Sequence, residues 1–559
     1  MRLSLARLFI SNGTQHLMIS VAERPAVTGR ALGLAARMRH VAPWVTLGLL
    51  FLVAFGVRAW GVRFGLPEYF YHPDEHAIVD RATAILQTGD YNPHWFNYPS
   101  TYIYVQALTY IPYFLVSAAR GFGDTVPGST PHGFYFAGRL MTALIGALTV
   151  PLVYVLGKKA FDRRTGLLSS LLLTFSLLHT VHSHYVTMDI PVTFLVTLSF
   201  LFCYLAMDKA TTKHYILAGL FAGLAASTKY PAFIVIVPLS LLPLLALRWG
   251  EWSSLGQRFG LSTGAFVAGF LLGTPYAFLD LNTFLNSLGA VLSHYGGAQP
   301  GFEGSNSGIW YIGQMLSSAD GIMFVIGLGG IAWALARHTK KDILLLCFVI
   351  PYYLLLSLWR VRFERHLVAL LPFLAILAAR FLVEGVSWLS KRVKPPAGSN
   401  LREVLEILIL ACLSALAIFM PARTIMSFDA ALAQKDHRTI AAEWVNANVP
   451  AGSTVVTEAL SIPIDEDRFQ VLQVVRIDSH DLEWYLQEGV QYIIVSDGHW
   501  RILLREPEKY GRQIETYNDI VNHSALLREF SREAPSSLAR GYPTILIYHF
   551  PDVLILKLE

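Results

Sequence analysis

Two acidic residues stand side by side in His72-Pro73-Asp74-Glu75-His76, soon after the first long apolar run of the chain. Proline suits the first position of a helix, so Asp74 and Glu75 fall in its first turn, where the dipole stabilises carboxylates. Capping is the ordinary role for such a pair. The setting argues for more: a membrane boundary, two flanking histidines, and a proline-punctuated aromatic stretch with Tyr91, Trp95, Phe96, Tyr98 and Pro99. A second constellation is His179, His182, His184, Tyr185 and Asp189, with Pro191 starting the next run. Asp189 reads either as a cap or as a boundary carboxylate, a costly feature that membrane proteins keep for function. The third is Arg360, Arg362, Arg365 and His366, with Glu364 among them. Guanidinium forks match phosphate oxygens, and the plainer alternative is an anchor on anionic lipids. Lys229 and Arg139 fit either a phosphate site or helix-end anchoring. Taken together, a carboxylate can remove an acceptor proton while the cations stabilise a departing phosphate.

These groups work together only if the chain carries them to one side of a membrane. Of the 559 residues, 54% are hydrophobic and 15% charged, against about 25% charged in a soluble domain. A span needs about 20 apolar residues. Runs of that kind lie near 41–60, 137–157, 166–181, 190–207, 215–229, 231–249, 262–279, 319–336, 342–358, 367–386 and 403–421. One further run, 102–119, decides the topology. If it stays on the outer surface, Lys158, Lys159, Arg163, Arg164, Lys209, Lys213, Arg248, Arg258, Arg337, Lys340, Lys341, Lys391, Arg392 and Lys394 all face the cytoplasm, as the positive-inside rule asks. If it crosses, they all face outward. The expectation is therefore a polytopic all-α membrane protein with about eleven crossings, the N-terminus inside and the C-terminus outside. Tyr102, Tyr104, Tyr110 and Tyr113 suit 102–119 to the headgroup zone. The Arg cluster at 360–366 then lies outside, against the charge rule, which is a reason to give it a phosphate partner.

The domain plan has a cytoplasmic leader at 1–40, a membrane domain at 41–421 with a long outer loop at 61–132, and an outer domain at 422–559. From residue 421 onward there are 13 Lys and Arg against 20 Asp and Glu. Strand-like runs at Tyr492–Val495 and Thr544–Tyr548, with a helical stretch at His437–Ala447, predict a small C-terminal α/β domain. No basic, aromatic-interleaved patch points to nucleic acid. Cys203, Cys347 and Cys412 all sit in apolar runs and read as small buried hydrophobes, which supports neither a disulfide framework nor a zinc motif.

Several short motifs, in order, carry a family resemblance. They are His72-Pro73-Asp74-Glu75 with Asn97-Tyr98-Pro99, Gly138-Arg139, Gly166-Leu167-Leu168, and His184-Tyr185 with Met188-Asp189-Ile190-Pro191. Further on come Gly219, Gly223-Leu224-Ala225, Thr228-Lys229-Tyr230, Gly273-Thr274-Pro275-Tyr276, and Arg365-His366 with Pro372. Tail segments Asp436-His437-Arg438, Ala442-Glu443-Trp444, Pro450-Ala451-Gly452 and Gly489-Val490-Gln491-Tyr492 extend it. The chain resembles the GT-C superfamily of membrane glycosyltransferases, in the branch of protein O-mannosyltransferases and the lipid A aminoarabinose transferase. The resemblance implies a metal-independent, inverting transfer from a polyprenyl-phosphate sugar to a lipid, glycan or protein acceptor. It implies Asp74 as general base, Glu75 assisting, and Asp189 as the second acidic position. Arg139, Lys229, Arg362, Arg365 and His366 are the candidates for the donor phosphate, and His72, His76, Tyr98, His184 and Tyr185 for substrate contact. No cofactor is expected. The surplus of histidines leaves one alternative open, a divalent-metal site from Asp74, His182, His184 and Asp189.

The rival reading is a transporter or flippase of a lipid-linked sugar, which would favour internal repeats and midplane polar groups. No repeat is visible, and the polar groups gather at one boundary. A membrane scaffold would leave the outward Arg cluster unexplained. The lean loops and absence of retention signals place the protein in a prokaryotic plasma membrane. The tail is expected to select the acceptor, so that its deletion would spare donor binding.

Overall fold

A computed structural model describes residues 29–67, 72–119, 132–297, 301, 304, 306–392, 400–459, 461–534, 538 and 542–559. The chain divides into a short unit, Met1–Gly48, and a main unit, Leu49–Glu559, which holds every site residue discussed below. Most of the expected leader lies outside the described residues, and helix α1 (Gly29–Ala59) begins before the expected residue 41. Then come α2 (Pro73–Thr88), α3 (Thr101–Ala119), α4 (His132–Ala160), α5 (Arg163–Thr174), α6 (Leu177–His182), α7 (Asp189–Lys209) and α8 (Thr212–Ala226). A 3-10 turn, Tyr230–Val235, leads into α9 (Ile236–Leu245), followed by α10 (Leu255–Gly273), α11 (Tyr276–Leu279), α12 (Leu281–Gly296), α13 (Ser307–Ser317), α14 (Gly321–Arg337) and α15 (Lys340–Leu358). A second 3-10 turn, Glu364–Leu370, leads into α16 (Leu371–Ser390), and α17 spans Leu401–Leu432.

Among the described residues, five helical stretches are long and apolar enough to cross a membrane: His132–Ala160, Asp189–Lys209, Lys340–Leu358, Glu364–Ser390 and Leu401–Asn448. Trp44–Ala59, Tyr230–Leu245 and Gly321–Arg337 are shorter apolar helices, and α3 belongs to neither group. The run expected as one span at 166–181 is broken: α5 ends at Thr174 and α6 restarts at Leu177. The break is held by Asp320, whose carboxylate accepts from the Leu177 and Leu178 amides at 2.9 and 3.0 Å. That carboxylate meets the free N–H groups that any helix start leaves over. The run at 262–279 is likewise divided between α10 and α11.

The helices pack closely where side chains are small. Gly219 and Gly223 of α8 and Gly269 of α10 leave no room for a Cβ against the facing backbone. Small residues are what allow two membrane helices such an approach. One end of the bundle gathers ties between basic groups and helix ends: Lys159 with Asp208, Arg164 with Glu406 at 2.8 Å, and Arg248 with the Asp208 carbonyl at 2.7 Å. These are groups the positive-inside argument placed together.

Helix α17 runs past Pro421 to Leu432, so the boundary expected at 422 falls inside a helix. The α/β domain follows with α18 (His437–Asn448), β1 (Thr454–Glu458), β2 (Gln470–Val474), α19 (Leu482–Gln487), β3 (Tyr492–Ser496), α20 (Asp497–Leu503), α21 (Gly511–Asn522), β4 (Ser524–Phe530), α22 (Pro543–His549) and β5 (Val553–Leu558). The sheet order is β2-β1-β3-β5-β4, with β2, β1 and β3 parallel and β5 antiparallel to β3 and β4. Val455, Val456, Ile493, Ile494 and Val495 are buried, as continuous apolar runs are in a sheet covered on both faces. Expected strand 492–495 is β3 and expected helix 437–447 is α18. The run 544–548 is not a strand. Pro543 opens a helical turn there, and a short apolar run fits either period. Cys203 is buried as expected, whereas Cys412 is exposed on α17.

Candidate active site

The site is built around the start of α2. His72 is the cap of that helix, and its Nδ1 accepts the Asp74 amide at 3.3 Å. Burial pushes the His72 imidazole below its usual pKa, so it is neutral and can accept there. Asp74 and Glu75 then leave the first turn in different directions. Asp74 pairs with Arg365, and the two side chains are 28% and 15% exposed. Burial works to raise the Asp74 carboxyl, but the Arg365 guanidinium holds it below its ordinary value. Arg365 sits in the 3-10 turn ahead of α16, so a backbone irregularity places the cation where a continuing helix would not.

A second pair lies next to the first. Asp189, at the first position of α7, receives the Lys229 ammonium at 2.5 Å, and both side chains are 5% exposed. Lys229 precedes the 3-10 turn whose Pro231 breaks the run between α8 and α9. The charges of Arg365 and Lys229 both act on Asp189. A cavity of about 250 Å³ opens on Lys229, lined also by Asn97, Tyr98, Tyr230, Tyr295 and Trp359. Tyr98 feels the charges of Asp74, Arg365 and Asp189, which ties the cavity to both pairs. Two imidazoles border this charge cluster. Among the described residues, neither ring nitrogen of His182 has a partner, nor has Nε2 of His366, whose Nδ1 faces the Tyr311 hydroxyl at 2.9 Å. Buried, unsatisfied polar atoms are rare in proteins and ask for a ligand or water.

Other expected site residues lie elsewhere or are already committed. Arg139 donates from Nε and Nη2 to Glu75 at 2.8 and 2.6 Å, and from Nη1 to the Val62 and Phe64 carbonyls at 3.2 and 2.8 Å. Both members are 0% exposed, and Glu75 also accepts the Val186 amide at 3.0 Å. This pair ties the outer loop, α4 and the 183–188 turn together, and Arg139 has no face open to a donor phosphate. His76 turns to the Tyr135 hydroxyl at 2.7 Å and is half-exposed. His184 places Nε2 on the Trp60 carbonyl at 2.8 Å and near Asp429 at 3.3 Å, with Nδ1 on the Thr180 carbonyl at 2.9 Å. It is a bolt between α17 and the turn after α6. The alternative metal set of Asp74, His182, His184 and Asp189 is therefore not gathered, and no three metal-ligating groups come together among the described residues. Arg362 lies over the Trp310 ring at 5.2 Å.

Residues the sequence reading passed over complete the surroundings. Tyr295 stacks on Trp359 at 4.2 Å and meets His366 edge-on at 5.6 Å. His549 of α22 reaches the Tyr185 hydroxyl at 2.5 Å through Nε2, and Tyr185 in turn lies 4.4 Å from the His72 ring. Tyr295 stands alone among aromatics between His294 and Gly296-Gly297, with no run around it to draw notice. Nothing in the tail's sequence signals His549.

Residues 113–279 match the family model for dolichyl-phosphate-mannose-protein mannosyltransferase. No curated protein matches the chain in sequence. Among solved structures, ArnT from Cupriavidus metallidurans in the apo state superposes with a TM-score of 0.51 at 14% identity, covering 94% of this chain and 98% of that one. The same protein bound to undecaprenyl phosphate gives 0.51 at 13%, covering 93% and 98%. The Archaeoglobus fulgidus oligosaccharyltransferase in the apo form gives 0.51 at 13%, covering 85% and 71%. The fold is that of the GT-C membrane glycosyltransferases, and both findings agree with the resemblance read from the sequence.

Proposed function

We propose that this GT-C protein transfers a sugar from a polyprenyl-phosphate carrier to a hydroxyl on a lipid, glycan or protein at the outer face of a prokaryotic plasma membrane, inverting the anomeric centre. The observation that carries the reading is the pairing of two carboxylates with two cations, Asp74 with Arg365 and Asp189 with Lys229, beside one cavity. Undecaprenyl phosphate is the ligand of the ArnT structure that shares this fold. In this chain its phosphate would meet Arg365 and Lys229, whose guanidinium and ammonium suit phosphate oxygens.

Asp74 is the proposed base. The acceptor hydroxyl gives its proton to an Asp74 oxygen while the acceptor oxygen bonds to the anomeric carbon from the rear. The bond from that carbon to the phosphate oxygen breaks, and its electron pair leaves on the phosphate. Arg365 has two tasks in turn. While it pairs with Asp74 it holds that carboxylate weakly basic; once drawn to the donor phosphate it frees Asp74 to accept a proton. The donor thereby switches on the base, and Asp74 in the empty site is kept from idle protonation. Asp189 holds Lys229 for the leaving phosphate, and His182 and His366 offer ring nitrogens to sugar or phosphate oxygens. The two cations supply the charge that a divalent ion supplies in a metal-dependent transferase, so the step is proposed without a metal.

The test uses full-length protein in proteoliposomes with a panel of labelled polyprenyl-phosphate sugars. Protein-dependent loss of label from the carrier, unchanged by a chelator, is expected. Carrier that crosses the bilayer with its sugar intact would replace the transferase with the transporter reading. Loss of transfer on chelation, restored by Mn²⁺, would overturn the metal-free step.

A further inference from the structure

The C-terminal domain is not an appendage to the membrane domain, because one short element of it is seated among the site's supports. Tyr542 donates its hydroxyl to Asp320 at 2.8 Å. Asp320 is the carboxylate that also holds the start of α6, the helix ending in His182. Thr544 donates to Glu364 at 2.6 Å, the residue next to Arg365. His549 meets the Tyr185 hydroxyl and stacks on that ring, with centroids 5.4 Å apart and planes 9° from parallel. Tyr185 packs on His72, the cap of the helix that carries Asp74. The polar contacts of the segment thus land on supports of the charge cluster: the capped start of α6, the residue before Arg365, and the ring packed on His72. His549 is 2% exposed and also packs edge-on against Phe64 and Phe428. Polar side chains buried at such a junction are costly unless they are met, and here Tyr542, Thr544 and His549 all find partners.

We propose that Tyr542–His549 is a positioning element of the transfer site, with His549 as its principal residue. The His549–Tyr185–His72 column sets the direction in which Asp74 leaves α2, and the Thr544–Glu364 contact sets the turn that carries Arg365. The inference rests on the transferase reading for its rate measurement, and a second readout is independent of it. The outer domain is then needed for the chemical step itself, which reverses the expectation that the tail serves the acceptor alone.

The experiment compares full-length wild type with His549→Phe, His549→Gln and Tyr185→Phe. Phenylalanine keeps the packing and loses the hydrogen bond, whereas glutamine can present its amide near the position of Nε2. For His549→Phe and Tyr185→Phe, kcat is expected to fall about 10- to 100-fold, the scale of a misplacement of around 1 Å. KM for the polyprenyl-phosphate donor should stay within about 2-fold, since positioning acts on the reacting geometry rather than on uniform binding. His549→Gln should recover most of the rate, and the double Phe variant should be no slower than either single one. Hydrogen exchange of the 74–79 and 364–366 amides should quicken in His549→Phe and return in His549→Gln. A folded His549→Phe with full kcat, or a loss carried wholly by KM, overturns the proposal. If no donor is turned over by wild type, the transferase reading falls, and the exchange pattern decides the positioning role alone: unchanged exchange in all variants sinks it.

Discussion

Asp74 and Glu75 follow one another in the first turn of α2 and meet opposite surroundings. Glu75 and Arg139 are both 0% exposed, joined by a two-pronged contact, and both N–H groups of Nη1 are taken by backbone carbonyls. Asp74 and Arg365 remain 28% and 15% exposed, beside a cavity and among imidazoles with unmet nitrogens. On the proposed transferase reading, the same chemical pair does two jobs. Where burial is complete and every hydrogen bond is made, the pair fixes the fold and has nothing left for a ligand. Where burial stops short, the cation can change partner when a better anion arrives. Charge type alone does not identify a site residue; the number of uncommitted donors does.

The largest expected difference between the pairs is in rate. Asp74→Asn should lower transfer about 10²- to 10⁴-fold, the usual worth of a general base, with a melting temperature near wild type. Label transfer and a thermal melt on one preparation check it, and full activity would move the base to Asp189. For Glu75→Gln the expected loss is in folding: removing one partner of a closed ion pair costs about 3–5 kcal/mol. The readout is a lowered melting temperature and a poor yield of monodisperse protein. A stable but inactive Glu75→Gln would break the comparison by putting Glu75 in the chemistry. Smaller again is Arg365→Lys, which keeps the charge and loses the fork. Weaker donor binding by about 1.5–3 kcal/mol, the worth of a hydrogen bond to a charged group, should appear as a raised KM for the polyprenyl-phosphate sugar.

Much of this arrangement was legible in sequence because it depends on local rules. Pro73 opens α2 with Asp74 and Glu75 in its first turn, as proline and the dipole dictate. The grouping of Lys159, Arg164 and Arg248 at one end follows from charge placement. That Arg139 closes off Glu75 while Asp74 stays partly open was not legible. It depends on the Val62 and Phe64 carbonyls and the Val186 amide, groups that carry no sequence signal. The break between α5 and α6 was hidden for the same reason, since Asp320 supplies its cap from a remote hairpin. His549 was further out of reach. The run around it satisfies a strand period, and only docking against Tyr185, Glu364 and Asp320 selects the helix.

The smallest effect sharpens the comparison with an acid that is shut in without a cation bonded to it among the described residues. Glu458, at the end of β1, is 1% exposed and accepts the Ile477 and Ser496 amides at 2.9 and 2.8 Å. Burial pushes its carboxyl up from 4.5 to about 8, against the pull of those two donors. Asp497, in the same domain, is raised to about 7, also chiefly by burial. A raised folded value means that the folded domain holds a proton which the unfolded chain releases. The stabilisation is complete below about pH 4.5 and is lost as pH rises toward 8. The slope is about 1.4 kcal/mol per pH unit for one such group. Asp74, held low by Arg365, contributes in the other sense: its share is present above the ordinary carboxylate value and is lost as pH falls. Hydrogen exchange of the β1 and β3 amides in the full chain should therefore quicken between pH 6 and pH 8 beyond the intrinsic rate. Glu458→Gln should flatten that dependence. Exchange that slows over the same interval would mean that Glu458 is ionised in the fold, and that a cation serves it as Arg365 serves Asp74.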